Sequence, residues 1–252
     1  MENKIYVRQE NQGYTPSKLE DTNITLHIPI YQRLFVWEAS HINQLLEDLY
    51  LKWQSSLNSP EPYYIGNIIV RKSENEWEVV DGQQRLTFLM LFGCVFGGKW
   101  GDFLFSAKGI DSRPQRIYYT GRKEDNECLY GFYESQGEKD LLNPNMECFR
   151  LCLKHFRNGE VGDGEQRKAR FNDSSEELLF SEYVFHFTTF LVSFLPCYTP
   201  HQLNTIFEKM NSSGRQLEQD EIVKGMFFSS RAAKCARATS QCNTWCFKKV
   251  MR

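Results

Sequence analysis

One stretch of the chain, residues 76–96, joins two apolar segments of unequal length through a polar turn. EWEVV (76–80) is short and valine-rich, which predicts a strand. LTFLMLFGCVF (86–96) is too long for a strand and predicts a buried helix. Asp81 and Gly82 between them are a turn signal. The stretch therefore predicts a strand, a sharp turn and a helix in direct succession.

The rest of the chain mixes strand-like and helix-like patterns. Further strands are expected within 24–30, 63–71, 112–120 and 188–196, and 63–71 should pair with 76–80 as a hairpin. Pro29 marks the edge or the end of the first of these strands. Helices are expected at 40–53, with Ser40 as the candidate cap, and at 122–134, 145–157, 175–187, from Thr199 to the turn at 211–214, and at about 218–229.

The composition is that of an ordinary soluble globular protein. The 252 residues carry a net charge of −2, with 41% apolar and 25% charged residues. These values exclude a strongly basic nucleic-acid-binding protein and leave room for a local basic site. Residues 231–252 form a basic tail without Asp or Glu, whose cations are Arg231, Lys234, Arg237, Lys248, Lys249 and Arg252. This basic tail either contacts phosphates or is a solvated or disordered end.

The eight cysteines form no CxxC pair and no zinc-site spacing. The N-terminal MENKIYVRQE lacks the apolar core of a signal peptide. No apolar run approaches the ~18 residues that span a membrane. We therefore expect reduced thiols, a cytoplasmic location and no membrane partner. The five histidines have no catalytic spacing, and His186, in an apolar run, is expected to be a satisfied core residue.

The turn at residues 81–85 (DGQQR, the DGQQR turn) holds more polar side chains than a turn requires. A helix N-terminus offers unpaired N–H groups and a positive dipole end. Gly82 would let a bound group approach the backbone, Arg85 can grip phosphate with two N–H groups, and Gln83 and Gln84 add neutral donors. Asp81 can hold a divalent metal or orient a water. The alternative is a plain turn with a surface arginine and helix-forming glutamines.

A second polar group lies in IPIYQRLFVW (28–37), where Gln32 and Arg33 are surrounded by Tyr31, Phe35 and Trp37. Stacking on these rings would hold Arg33 rigidly, as a phosphate or base contact requires. The alternative is an amphipathic strand edge with a snorkelling arginine. We call residues 31–33 the YQR segment.

A third group lies in FEKMNSSGRQLEQDEIVKGMFF (207–228). Glu208, on a predicted helix, can help to bind metal or position water, and Asn211, in the following turn, can contact a ligand. Lys224, on the next helix, is a candidate phosphate contact. The alternative is a helical hairpin in which Asn211 and Gly214 cap the first helix.

Together, IPIYQRLFVW, YIGNIIV, VVDGQQRLTFLMLF and FEKMNSSGRQLEQDEIVK, in this order, resemble the N-terminal domain of GmrSD-type, modification-dependent restriction endonucleases of prokaryotes. The resemblance covers 24–96 and 200–228. It implies an α+β fold with a ParB/sulfiredoxin-like core, a small mixed sheet carrying the DGQQR strand, turn and helix, and appended helices. It implies one domain over 1–230 with a helical insertion around 97–187, followed by the basic tail as the start of a missing or truncated C-terminal region.

The resemblance further implies a site that hydrolyses a nucleoside triphosphate (NTP) with Mg²⁺ or Mn²⁺. Carried over by position, the site comprises Asp81, Gly82, Gln83, Gln84 and Arg85, with Gln32, Arg33, Glu208, Asn211 and Lys224 around it and Asp81 and Glu208 as metal ligands. The implied role is regulation of DNA restriction against phage, with NTP, DNA and a nuclease partner, because the histidine–asparagine cleavage motif is missing. A non-catalytic nucleotide- or DNA-binding sensor, or a DNA nuclease, are the alternatives.

Overall fold

The computed structural model describes residues 8–73, 76–105, 115–158 and 169–195, including every side chain except those of residues 8–12 and 73. The strands are β1 (Arg8–Tyr14), β2 (Thr25–Ile28), β3 (Tyr63–Ser73), β4 (Glu76–Asp81), β5 (Ile117–Tyr119) and β6 (Thr188–Leu195). The helices are α1 (Pro16–Glu20), α2 (Ala39–Ser55), α3 (Gln83–Phe96), α4 (Lys99–Phe105), α5 (Lys123–Glu134), α6 (Pro144–Asn158) and α7 (Ser174–Phe187). The helices predicted after residue 196, the boundary at 230 and the basic tail lie outside these ranges.

A six-stranded mixed sheet in the order β1-β6-β3-β4-β2-β5 organises the described chain. Strands β3 and β4 form the predicted antiparallel hairpin. Strand β6 lies antiparallel to β1 and parallel to β3, and β2 lies parallel to both β4 and β5. Pro29 follows the end of β2 directly, where its missing N–H costs the ladder no hydrogen bond. The mixed sheet with its helices agrees with the predicted α+β class.

Helix α3 is the apolar helix that the opening stretch predicted. All of Leu86 through Val95 is buried, and the helix packs against α4, α5, α6 and β5. Aromatic rings surround it, since Phe88 contacts Phe149 at 5.3 Å between ring centroids and Phe92 contacts Phe180 at 5.8 Å. Each such buried side chain contributes about 1.5–3 kcal/mol. The base of the DGQQR turn is therefore fixed by the core itself.

Helix α2 confirms the predicted 40–53 helix and its apolar face, because Ile42, Leu46 and Leu49 are fully buried. The predicted cap is wrong. The helix begins at Ala39, so the capping position falls on Glu38, and no side chain caps the helix there. Ser40 lies inside the first turn instead.

His186 is also misplaced by the sequence pattern. Its side chain is exposed at the end of α7, with Nε2 3.4 Å from Nζ of Lys99. The reason is helical period: Leu179, Glu182 and His186 share one stripe, which faces away from the buried residues Phe180 and Val184. An apolar neighbourhood in sequence is thus not a buried position on a helix.

A buried arginine that the sequence pattern did not single out joins distant elements. Arg116 is 3% exposed, and its Nη1 donates to the carbonyl oxygens of Leu19, Thr22 and Ile24 at 2.8–2.9 Å. Its Nε donates to the carbonyl of Phe103 at 2.8 Å. Burial lowers the pKa of Arg116. One side chain therefore ties α1, the start of β2 and α4 to the strand β5.

Among the described helices, none combines the length and the apolar character that crossing a membrane requires.

Candidate functional site

The DGQQR turn begins where β4 ends at Asp81, and α3 starts two residues later at Gln83. Gly82 has φ 91° and ψ 7°, the left-handed conformation that glycine adopts without steric cost. A Cβ on Gly82 would lie 3.0 Å from Cγ1 of Ile68 and 3.1 Å from the carbonyl oxygen of Asn67. The Cβ side of Gly82 is therefore occupied by β3, and the approach of a ligand to its backbone stays a prediction.

The N-terminus of α3 carries no side-chain cap at Gly82. The N–H of Leu86 bonds to the carbonyl of Gly82, which leaves the N–H groups of the first turn without intrahelical partners. Aligned peptide dipoles add positive potential at this end of a 14-residue helix. The predicted helix N-terminus is therefore present, and the binding of an anion to it stays a prediction.

Arg85 lies on this first turn, and its guanidinium crosses the backbone of β3. A Cβ on Gly66 would stand 2.9 Å from Nε and 3.1 Å from Cζ of Arg85. Gly66 has φ 126°, and the pairing of β3 with β6 shifts register between Tyr64 and Gly66. Only a glycine leaves room for the guanidinium here. The available signal was a glycine inside the strand YYIGNIIVR, a pattern that marks a bulge or a close approach.

Most of the hydrogen-bonding capacity of Arg85 is uncommitted within the described ranges. Its Nη1 donates to the carbonyl oxygen of Asn67 at 3.3 Å, a long bond. A guanidinium has five N–H groups, so the remaining donors are available to a bound anion. The side chain is oriented by Gly66 and Asn67 without being saturated by them.

Three hydrogen bonds join residues 32–36, in and directly after the YQR segment, to Val80 and Gln84, directly before and within the DGQQR turn. Gln32, 3% exposed, donates from Nε2 to the carbonyl of Val80 at 2.7 Å. Gln84 accepts from the N–H of Val36 at 2.8 Å and donates to the carbonyl of Leu34 at 3.0 Å. The side chain of each glutamine thus bonds to backbone groups of the other segment. Their roles as ligand donors stay predictions beside this structural role.

Arg33 is held next to the turn by its neighbours. Gln32, on one side, bonds to Val80 directly before the turn, and Leu34, on the other, bonds to Gln84 within it. Consecutive Cα atoms are about 3.8 Å apart. The side chain of Arg33 is half-buried. It makes no hydrogen bond, ion pair or ring contact with any described residue.

The expected stacking of aromatic rings on Arg33 is therefore wrong for the described residues. The rings of the segment pack elsewhere: Trp37 lies 5.9 Å, centroid to centroid, from both Phe35 and Phe88. Core packing takes these rings because burial of their faces stabilises the fold more than contact with a solvated cation does.

Asp81 and Gln83 are the other uncommitted polar groups of the turn. Asp81 is half-buried and opposes Ile69 in the β3–β4 ladder. Gln83 is 7% exposed. Neither side chain makes a hydrogen bond with another described residue. A polar group this far removed from water gains free energy from any partner that it finds, so both positions favour a ligand.

The buried carboxylate of Glu78 lies beside the YQR segment but is not free. It accepts from Oη of Tyr31 at 2.6 Å and forms an ion pair with Arg71. Burial, and next the negative charge of Glu78, raise the pKa of Tyr31, so its hydroxyl stays protonated and donating.

Arg122 supports the same segment from the other side, donating from Nη2 to the carbonyls of Ile30 and Gln32. These partners position the segment and were not foreseen.

The remaining predicted site residues, Glu208, Asn211 and Lys224, lie outside the described residues, and their roles stay predictions. The family model that matches the chain is described as the N-terminal domain of the GmrSD restriction endonuclease and covers residues 17–228. That range contains the YQR segment, the DGQQR turn and these three residues. A search of curated proteins finds no match to the chain.

Proposed function

The chain belongs to the family of GmrSD restriction endonuclease N-terminal domains, and on this premise we propose that it binds and hydrolyses an NTP. In the proposal it is the regulatory domain of a prokaryotic DNA restriction system, active against phage. The triphosphate lies at the DGQQR turn, on a sheet with a ParB/sulfiredoxin-like core. The nuclease belongs to another chain or another region, and DNA, including modified phage DNA, is the target of the system.

The proposal rests on the orientation of the Arg85 side chain and on its unpaired N–H donors. Its guanidinium is oriented by Gly66 beside an uncapped helix N-terminus, and most of its donors have no partner among the described residues. A planar, permanently charged fork in a fixed position suits bidentate binding of phosphate. Charged hydrogen bonds of this kind contribute about 1.5–3 kcal/mol each.

Catalysis at such a site consists mainly of positioning and charge neutralisation. Arg85 and the first-turn N–H groups of α3 hold the phosphates. Arg33, uncommitted and next to the turn, offsets the charge that grows on the transferred phosphoryl group. Gln83 donates from its unpaired amide. Gln32 and Gln84 keep the two segments in register, so that both arginines face the same ligand.

Asp81 is suited to a magnesium or manganese ion. No group of three or more His, Cys, Asp or Glu side chains gathers within the described ranges. Mg²⁺ needs no such cage, because it keeps several waters and is held by one or two carboxylates plus the substrate phosphates. Asp81, half-buried and unpaired there, can be one of these carboxylates, and Glu208 is the proposed second. When bound, the ion neutralises phosphate charge, while Asp81 orients the attacking water.

Phosphate release tests the proposal. Purified protein is incubated with each NTP and Mg²⁺ or Mn²⁺, with and without DNA, and compared with Arg85→Ala. Arg150→Ala is the matched control, because Arg150 pairs with Glu147 on α6, away from the turn. We expect release by the wild type and the control and at least a tenfold loss in Arg85→Ala.

Two other outcomes would replace the proposal. Equal release by wild type and Arg85→Ala would remove the hydrolase function. Binding of NTP with a raised melting temperature but no turnover would make the domain a nucleotide sensor. Cleavage of plasmid DNA by the purified chain would make it a nuclease.

A further inference from the structure

A groove of about 410 Å³ lies between the start of α2 and strand β3. Its walls are formed by Trp37, Ser40, His41, Gln44, Leu45, Asp48 and Ile65. This volume lies within the range of small-molecule sites in proteins. None of the lining residues is a predicted site residue, and none belongs to the DGQQR turn or the YQR segment.

Both walls of the groove continue along the chain into residues that contact the DGQQR turn. Trp37 directly follows Val36, whose N–H bonds to Gln84. Ile65 directly precedes Gly66, over which Arg85 lies. Each wall of the groove is therefore adjacent in the chain to a residue that contacts the turn.

The floor and one wall of the groove are apolar and flat. Leu45 and Ile65 are buried, and the half-buried ring of Trp37 is nearly parallel to the ring of His41, with an interplanar angle of 21° and centroids 6.3 Å apart. Planar rings stack on such a wall, and base–aromatic contacts are tolerant of base identity.

Among the described residues that line the groove, Asp48 is the only Asp, Glu, Lys or Arg, and its orientation is fixed. Nε2 of Gln44 donates to Oδ1 of Asp48 at 2.7 Å, and Oη of Tyr63 donates to Oδ2 at 3.3 Å. Burial, and next the charge of Asp48, raise the pKa of Tyr63 to about 12, so this donor keeps its proton. A carboxylate has more acceptor sites than two donors fill. It can therefore accept from an N–H edge of a ligand.

We propose that this groove binds the base of the NTP whose phosphates lie at the DGQQR turn. The base lies against Trp37 and His41 and donates an N–H to Asp48. The described lining of the groove contains no lysine or arginine, and the carboxylate repels phosphate, so these residues do not favour a nucleic-acid backbone. The inference rests on the proposed function and adds the part of the same site that recognises the base.

The test compares two ligands that share the phosphates and differ in the base. Dissociation constants of an NTP and of inorganic tripolyphosphate, both with Mg²⁺, are measured for wild type, Trp37→Leu and Asp48→Asn. Leucine keeps apolar contact with Phe88 while removing the flat ring. Tyr130→Leu, at an exposed aromatic residue of α5, is the control. We expect Trp37→Leu to weaken NTP binding about tenfold and to leave tripolyphosphate binding unchanged.

Asp48→Asn tests the hydrogen bond separately, because an amide donates as well as accepts. We expect the order of affinities for ATP, GTP, CTP and UTP to change in this variant and tripolyphosphate binding to remain as in wild type. Equal loss of both ligands in Trp37→Leu, or equal affinity of wild type for both, would overturn the base site and leave the proposed function standing. If wild type binds neither ligand, the proposed function itself fails, and the base site with it.

Discussion

The guanidinium of Arg85 and the backbone of Gly66 share a space that admits no side chain. A Cβ on Gly66 would stand 2.9 Å from Nε of Arg85, and the φ of 126° at Gly66 is one that side-chain-bearing residues rarely adopt. The position of the Arg85 guanidinium therefore depends on a glycine in the neighbouring strand β3.

Gly66→Ala should displace Arg85 and strain β3 at once. We expect a loss of about 1–3 kcal/mol in the free energy of unfolding, from the backbone conformation, together with a loss of nucleotide affinity comparable to that of Arg85→Ala. Urea denaturation and equilibrium binding of an NTP measure the two effects.

Gly98→Ala separates these effects. Gly98 also has a positive φ, 60°, but nothing lies within 4 Å of its added Cβ. This variant should lose stability and keep nucleotide affinity. If Gly66→Ala binds nucleotide as wild type does, the guanidinium is not held by Gly66 in the way that the structure indicates.

Replacing the two adjacent glutamines of the turn should affect two different properties, stability in one case and nucleotide binding in the other. Gln84→Ala removes both bonds to the 34–36 backbone and leaves a partly buried N–H and a partly buried carbonyl unpaired, which should cost about 1–3 kcal/mol of unfolding free energy. Gln83→Ala breaks no hydrogen bond to a described residue, so it should leave stability nearly unchanged and weaken nucleotide binding. Chemical denaturation of both variants checks this, and equal stability losses would contradict the assignment.

Arg116 should be among the most sensitive polar residues of the fold. Arg116→Met keeps the apolar stem and leaves four carbonyls without their donor, so we expect a loss of at least about 3 kcal/mol. Arg150→Met, at a partly exposed arginine with a local partner, should change stability by less than about 1 kcal/mol. The midpoint of urea unfolding reports both, and a tolerant Arg116→Met would show that water replaces the guanidinium.

Alkaline pH should destabilise the domain partly through Tyr63. Its folded pKa is about 12, above the ordinary value of 10.0, because burial and Asp48 disfavour the phenolate. The native state therefore holds the proton more tightly than the unfolded chain, so the contribution is complete below pH 10 and is lost as pH rises toward 12. Tyr63→Phe should flatten the decline in unfolding free energy as pH rises from 10.0 toward about 12. Tyr64→Phe, at an exposed neighbour, should leave the curve as it is.

Local patterns determined most elements of the fold. Period and length predicted α2, α3 and the β3–β4 hairpin because their residues contact near neighbours in sequence. They missed β1, α1 and α4, which are short or polar and depend on distant partners. Strand β1 pairs with β6 across most of the described chain, and no local rule specifies such a pairing.

The sequence by itself also determined that the YQR segment and the DGQQR turn carry unusual polar groups. Only the tertiary structure decided which of these side chains hydrogen-bond to distant backbone and which have no partner among the described residues. Gln32 and Gln84 bond to backbone that is distant in sequence, whereas Asp81, Gln83 and Arg33 face no described partner. The physical reason is that a polar side chain is available for chemistry only after the fold has satisfied, or failed to satisfy, its hydrogen bonds, and those partners come from other elements.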